Sequence, residues 1–274
     1  MLTIREYKQA ASLEEAWQLN QKRPNKIIGG MLWLKMTRGN VMTAIDLSAL
    51  GLDKITETET EFRIGCMTTL RQLEQHPGLA AYTGGAVREA VRHIVGVQFR
   101  NLATVGGSVF GRFGFSDVLT VLLALDSYVE LYKGGVIPLA EFARMKYDRD
   151  VLVQIIVKKE SGLRCAYKSA RLTRTDFPML TCAAAVSDNA GLRLAVGARP
   201  AKAMLLQDEK NLVTAPVTQE KTADFAAWAA ENIPMESNPR GSAAYRRRLA
   251  QVLAQRALAD IYGINGQEGN ADAD

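Results

Sequence analysis

Residues 104–117, TVGGSVFGRFGFSD, hold four glycines and run straight into the apolar stretch VLTVLLALD. Glycine in that density loses backbone entropy on folding, so the segment must make unusual turns or let something approach closer than a Cβ allows. A second glycine pair sits in KIIGGMLWLKM, again behind apolar residues that read as a strand. Neither segment matches G-x-G-x-x-G, and the chain has no G-x-x-x-x-G-K-[ST], which argues against a Rossmann crossover and a P-loop. Gly-Gly turns can still present successive amides as a concave anion nest. Two nests facing each other would suit the diphosphate of a dinucleotide. The plainer reading, that each pair is only a turn, stands beside this one.

The rest of the chain reads as alternating short elements. Ser12-Leu13-Glu14-Glu15 fits a capping box and predicts a helix over about 13–21, between the strand-like LTIREYKQA and NKIIGG, a small β-α-β opening. TAIDLSAL, EFRIGC, SYVELYKGG and VLVQIIVKK predict further strands. TTLRQLEQH and AVREAVRHIV have helical spacing, the first stopped by Pro77-Gly78, and a helix is expected over about 117–125. The polar turn 159–162 marks a boundary. Beyond it LRCAYKSAR and MLTCAAAVSDNAGLRLAVGA predict strands, with a hairpin turn at Asp188-Asn189-Ala190-Gly191, followed by two helices. The last helix is expected over about 241–262, with a disordered Gly/Asn/Asp tail at 266–274.

Length and composition narrow the function classes. A chain of 274 residues has room for two domains. No apolar run reaches the roughly 20 residues of a membrane helix, and MLTIREYKQA lacks a signal pattern, so the expectation is a cytoplasmic protein with no membrane partner. Three scattered cysteines cannot build a four-thiolate iron–sulfur cluster, and two histidines without HExxH predict no metal site. The net charge of +5 comes from 34 basic and 29 acidic residues that are mostly interspersed. The one dense cluster, YRRRLAQVLAQR, has helical spacing and lacks aromatic platforms, so it reads as a solvated or protein-facing helix surface and not as a nucleic-acid site.

GVQFRNLATVGGSVFGRFGFSDVLTVLLALDSYVEL resembles the core signature of the FAD-binding medium subunits of molybdenum hydroxylases, the xanthine dehydrogenase and carbon monoxide dehydrogenase type. KIIGGML takes the place of that family's first phosphate loop. CAYKSARLTRTDFPMLTCAAAV, LAVGARPAKAMLL and RGSAAYRRRLAQVLAQRAL resemble stretches of its C-terminal domain, so the likeness spans nearly the whole chain in order. The implied fold is α+β: a two-lobed, non-Rossmann FAD-binding domain (PCMH-like) over 1–160, with lobes 1–55 and 56–160, then a smaller antiparallel-sheet-plus-helix domain over 161–265.

By position, the resemblance implies that Ile28, Gly29, Gly30, Met31 and Leu32 line the diphosphate in the first loop, and Thr104, Gly106, Gly107 and Ser108 in the second. Asp117 would accept from ribityl hydroxyls or cap the next helix, roles that can coexist. Lys168 would approach the isoalloxazine or its ribityl chain, or else be a strand-end surface lysine. Arg100 and Asn101 would brace the second loop. The first loop has Met-Leu-Trp where the family commonly has a Thr-Asp pair, and the second carries VFGRFGFSD where Ala/Pro-rich spacers are commoner. Phe113, Phe115 or Trp33 would stack on a ring or pack in the core. Neither loop offers a histidine or cysteine, so FAD is expected to be noncovalent. The implied role is an electron-transfer subunit: electrons pass from a molybdenum-cofactor large chain through a [2Fe–2S] small chain to FAD here, then to NAD or another acceptor. No catalytic acid or base is implied. The alternatives are a stand-alone flavoenzyme and a flavin-free scaffold that kept the fold.

Overall fold

The computed structural model describes residues 1–264, so the tail expected to be disordered, 266–274, lies outside the described residues. The chain opens with β1 (Leu2–Gln9), α1 (Leu13–Asn20), β2 (Lys26–Ile28) and β3 (Gly39–Asp46). Ser12 caps α1 as its side-chain oxygen accepts the Glu15 amide at 3.1 Å. The Glu15 carboxylate turns back to the Ala11 amide at 2.7 Å, one residue earlier than a capping box requires. All three strands are parallel in the order β1-β3-β2, so β3 comes between the two strands that α1 connects.

The second lobe contains β4 (Ile55–Glu57), β5 (Glu61–Gly65), α2 (Leu70–Gln75), α3 (Pro77–Tyr82), α4 (Ala86–Arg92), α5 (Val97–Arg100), α6 (Val105–Phe110), α7 (Asp117–Ala124), β6 (Ser127–Leu131), β7 (Gly135–Pro138), α8 (Leu139–Arg144) and β8 (Leu152–Lys158). The strands form an antiparallel sheet in the order β4-β5-β8-β6-β7. Phe62, Ile64, Val129, Ile155 and Val157 are fully buried in its core. Every residue of α7 is buried, as a helix apolar on all sides requires. Pro77 ends α2 as expected, but it also sits in the first turn of α3, where its missing N–H costs nothing and the His76 ring accepts the Leu79 amide at 3.1 Å.

The remaining elements are β9 (Arg164–Ala170), β10 (Leu180–Ser187), β11 (Gly191–Gly197), β12 (Met204–Gln207), α9 (Gln219–Asn232) and α10 (Ala243–Tyr262). The strands make an antiparallel sheet, β12-β11-β10-β9, with the expected hairpin closing Ser187 against Gly191. Alternation along β10 sends Cys182 and Ala184 to a core with Phe225, Leu253 and Leu258, and Ala183 and Ala185 to the core that contains α7. The basic cluster on α10 is not all solvated. Arg246 is buried and donates to the Met179 and Glu236 carbonyls at 3.0 and 2.9 Å, whereas Arg247 and Arg248 are exposed. Among the described residues no helix is long and apolar enough to cross a membrane.

Candidate cofactor-binding site

The two glycine pairs meet. The first loop leaves β2 at Ile28, bends through Gly29 and Gly30, and places Met31 in the left-handed region at φ 60°. A Cβ on Gly29 would lie 2.5 Å from the Thr104 hydroxyl oxygen, and one on Gly30 only 1.9 Å from the Leu102 carbonyl oxygen. Both glycines are therefore demanded by contact with the second loop. Within the described residues the amides of Gly29, Gly30, Met31 and Leu32 donate no hydrogen bond to the chain, so they remain available as donors.

The second pair is not a turn. Gly106 and Gly107 lie in the first turn of α6, capped by Thr104, whose hydroxyl accepts the Gly107 amide at 3.2 Å. The neighbouring amides are also used: Val105 donates to the Thr68 carbonyl and Gly106 to that of Cys66, both at 2.8 Å, and Ser108 to Thr104 at 3.1 Å. The expected second amide nest is thus a helix start with its donors engaged. A Cβ on Gly106 would collide with the Cys66 carbonyl at 2.6 Å, whereas one on Gly107 would meet only the Thr104 hydroxyl, at 3.2 Å.

Between these loops lies a cavity of about 970 Å³. Ile28, Gly29, Gly30, Met31, Leu32, Thr104, Gly106, Gly107, Ser108 and Asp117 all line it. Lys168 does not. It pairs with Asp260 on α10 at 2.5 Å and faces a separate cleft of about 370 Å³. The cause is the two-residue period of a strand. Tyr167 takes the other face of β9, where its hydroxyl reaches Asp117, and Arg171, just past the strand, lines both the large cavity and this cleft.

Asp117 is buried but does not cap α7; Ser116 does, accepting the Leu119 amide at 3.1 Å while donating to the Ser108 carbonyl at 2.9 Å. Tyr167 and Arg171 both donate to Asp117 Oδ1. Burial outweighs these partners and lifts the carboxyl to about 6. Oδ2 takes no bond from the described residues, which leaves an acceptor for a ligand hydroxyl. Cys66 also lines the cavity, yet burial pushes its thiol up to about 12, far from a nucleophilic thiolate.

The aromatic residues line the wall together. Trp33 lies 5.6 Å from Phe115, 5.5 Å from Phe177 and 5.9 Å from Phe99 between ring centroids, and Phe113 stacks on Phe115 at 5.3 Å. Trp33 and Phe113 remain 36% and 40% exposed, so neither is a core residue. They flank the cavity without filling it. Sequence spacing gives no sign of Phe99, Phe177, Arg171 and Cys66, because they reach the wall from α5, the turn after β5 and the segment after β9.

The sequence profile for the FAD binding domain in molybdopterin dehydrogenase matches residues 3–159, and that for the CO dehydrogenase flavoprotein C-terminal domain matches 165–261. This chain belongs to that FAD-binding family. It is 29% identical to the uncharacterized protein YgfM of Escherichia coli K12, covering 97% of this chain and 98% of that one. It is 25% identical to the putative xanthine dehydrogenase FAD-binding subunit XdhB of the same organism, covering 97% and 99%. A solved structure of carbon monoxide dehydrogenase from Hydrogenophaga pseudoflava superposes with a TM-score of 0.85 at 22% identity, covering 94% of this chain and 97% of that one, and shows the shared two-lobed fold with its antiparallel C-terminal sheet. The cofactor of this family is FAD, and the cavity fits it: undonated amides on one wall, clearance at Gly107 on the other, and a free carboxylate oxygen at Asp117.

Proposed function

We propose that this chain is the FAD-binding electron-transfer subunit of a molybdenum-containing hydroxylase, and that it holds FAD noncovalently between its two glycine loops. The observation that carries this reading is the cavity walled by both loops in a chain whose family domain binds FAD. Bound flavin supplies reversible two-electron and one-electron chemistry. The chain's own residues then have distinct tasks. The amides of Gly29–Leu32 hold the diphosphate with Ile28 lining the same wall, while Thr104, Gly106, Gly107 and Ser108 form the wall opposite. Asp117 accepts from the ribityl hydroxyls through Oδ2, with Arg171 and Tyr167 fixing its orientation. Lys168, tied to Asp260, takes no part in this assignment.

Electrons would arrive from a [2Fe–2S] chain fed by a molybdenum-cofactor chain and leave to NAD or another acceptor. The likeness to the putative xanthine dehydrogenase FAD-binding subunit supports a purine or other N-heterocycle as the substrate oxidised by the assembly; a cytoplasmic location is part of the same proposal. A division at about residue 160 would separate the FAD-binding part from a C-terminal domain over 161–265.

The test is co-purification of the tagged chain with the products of its neighbouring genes. The expected assembly contains molybdenum, iron and flavin, and substrate bleaches the flavin band only when the iron–sulfur chain is present. Turnover by the isolated FAD-loaded chain would instead establish a stand-alone flavoenzyme, and a folded assembly without flavin would establish a scaffold.

A further inference from the structure

Arg112 follows α6 and is a different kind of residue from its neighbours. It is 2% exposed, and its backbone is left-handed at φ 45°. Its Nε, Nη1 and Nη2 are all buried, and none has a hydrogen-bond partner among the described residues. The guanidinium lies within a cage of three rings, 3.9 Å from the centroid of Phe142, 4.8 Å from Tyr147 and 5.5 Å from Phe110. Cation–π attraction compensates a buried charge only in part, because five N–H donors still lack acceptors. Left-handed backbone at a non-glycine residue adds a second cost in the same place. Such a concentration of unfavourable features marks a functional position more often than a packing one.

The cage adjoins the cofactor cavity. Phe110 and Tyr147 each present a face to the guanidinium and also line the cavity, as do Gly111 and Phe113 on either side of Arg112. Tyr147 is 61% exposed, and its hydroxyl donates to the Gly111 carbonyl, so one wall of the cage is a solvent-facing ring. Arg112 is the one cation of the second glycine segment and lies just behind the cavity wall, whereas Arg23 and Lys26, which line the cavity, are solvent-exposed. The cavity's Arg171 is committed to Asp117, and Arg149 donates to the Lys22 and Asn25 carbonyls at 2.8 and 3.1 Å. Amides alone leave the charge of a diphosphate only partly compensated, and the planar fork of arginine matches its oxygens in pairs.

We propose that Arg112 is an anion-binding residue of this cavity, held in reserve by the ring of Tyr147, and that its ligand is the diphosphate of the bound dinucleotide. This rests on the FAD reading, and the experiment separates the two. Flavin is stripped from the purified full chain. FAD, riboflavin and inorganic pyrophosphate are then titrated into the wild type, Arg112→Met and Arg112→Lys, with the thermal midpoint of each ligand-free chain recorded.

Arg112→Met should raise the FAD Kd by about tenfold or more, the scale of lost charge-assisted hydrogen bonds, while riboflavin, which has no phosphate, binds as before. Arg112→Lys should recover part of the loss. The ligand-free Met variant should melt at or above the wild type, because it removes an unpaired buried charge. An unchanged FAD Kd in Arg112→Met would overturn the inference and leave the FAD reading standing. Equal losses for FAD and riboflavin, or a lower midpoint with equal losses, would show a merely structural cage. If no flavin binds the wild type but pyrophosphate stabilises it and not Arg112→Met, the anion site stands and the FAD reading falls. If neither flavin nor pyrophosphate binds, both fail.

Discussion

The two Gly-Gly pairs are alike in sequence and opposite in construction. At Gly29-Gly30 the glycines serve the protein, since a Cβ on either would strike the second loop, while the amides are left undonated. At Gly106-Gly107 the amides serve the protein, engaged by Thr104, Thr68 and Cys66, while Gly107 leaves clearance toward the cavity. One loop supplies donors and the other supplies space. A glycine pair therefore does not report by itself whether its amides or its missing side chains matter; the partners of the backbone decide.

Substitutions can break this division, beginning with the group that joins the second loop's segment to the C-terminal part. Asp117→Ala leaves Arg171 buried without its carboxylate and should cost about 3–5 kcal/mol in chemical denaturation, so lost flavin in that variant reports on the fold as well as the site. Asp117→Asn exposes the same group through pH. The folded carboxyl titrates near 6, against an ordinary 3.8, so the native state binds the proton more tightly than the unfolded chain across that window. The stability contributed by Asp117 is greatest below the lower value and falls as pH rises through the upper one. Urea unfolding between these limits should show a steeper decline for the wild type than for the Asn variant.

Gly30→Ala should cost about 1–3 kcal/mol or more, because its methyl meets a backbone carbonyl that cannot turn aside. Gly107→Ala should change the stability of the ligand-free chain by less than about 1 kcal/mol, helix propensity being offset by a 3.2 Å approach to the Thr104 hydroxyl, while weakening FAD in a fluorescence titration. If both variants lost stability equally, the contrast between the loops would be wrong. Thr104→Ala, which removes the cap of α6, should cost about 1 kcal/mol with the flavin site widened but present.

Much of this was legible in the residues themselves. The all-apolar run after Asp117 reads as a buried helix, Ser12 as the cap of α1, Asp188–Gly191 as a hairpin, and the linked motifs around both glycine loops as a family signature. What escaped was set by partners distant in sequence. Val105–Phe110 is helical because Cys66 and Thr68 accept its first amides and Thr104 caps it, none of which a glycine pair announces. The short helices α5 and α8 have too few residues for a periodic signal. β3 enters between β1 and β2, an order no local pattern encodes. Position leaves Lys168 either at the ligand or at the surface; the strand's alternation turns it toward Asp260, and Arg171, just past the strand, lines the cavity. The caged Arg112 has no sequence signal beyond an arginine among glycines and phenylalanines.

The central claim is that the space between the two loops holds FAD, and gel filtration of the purified chain after incubation with FAD tests it most directly. The account predicts that the flavin band elutes with the wild-type protein and that Gly107→Val, folded by circular dichroism, elutes without it. A folded wild-type chain that emerges colourless, or a Gly107→Val chain that keeps its flavin, would contradict it.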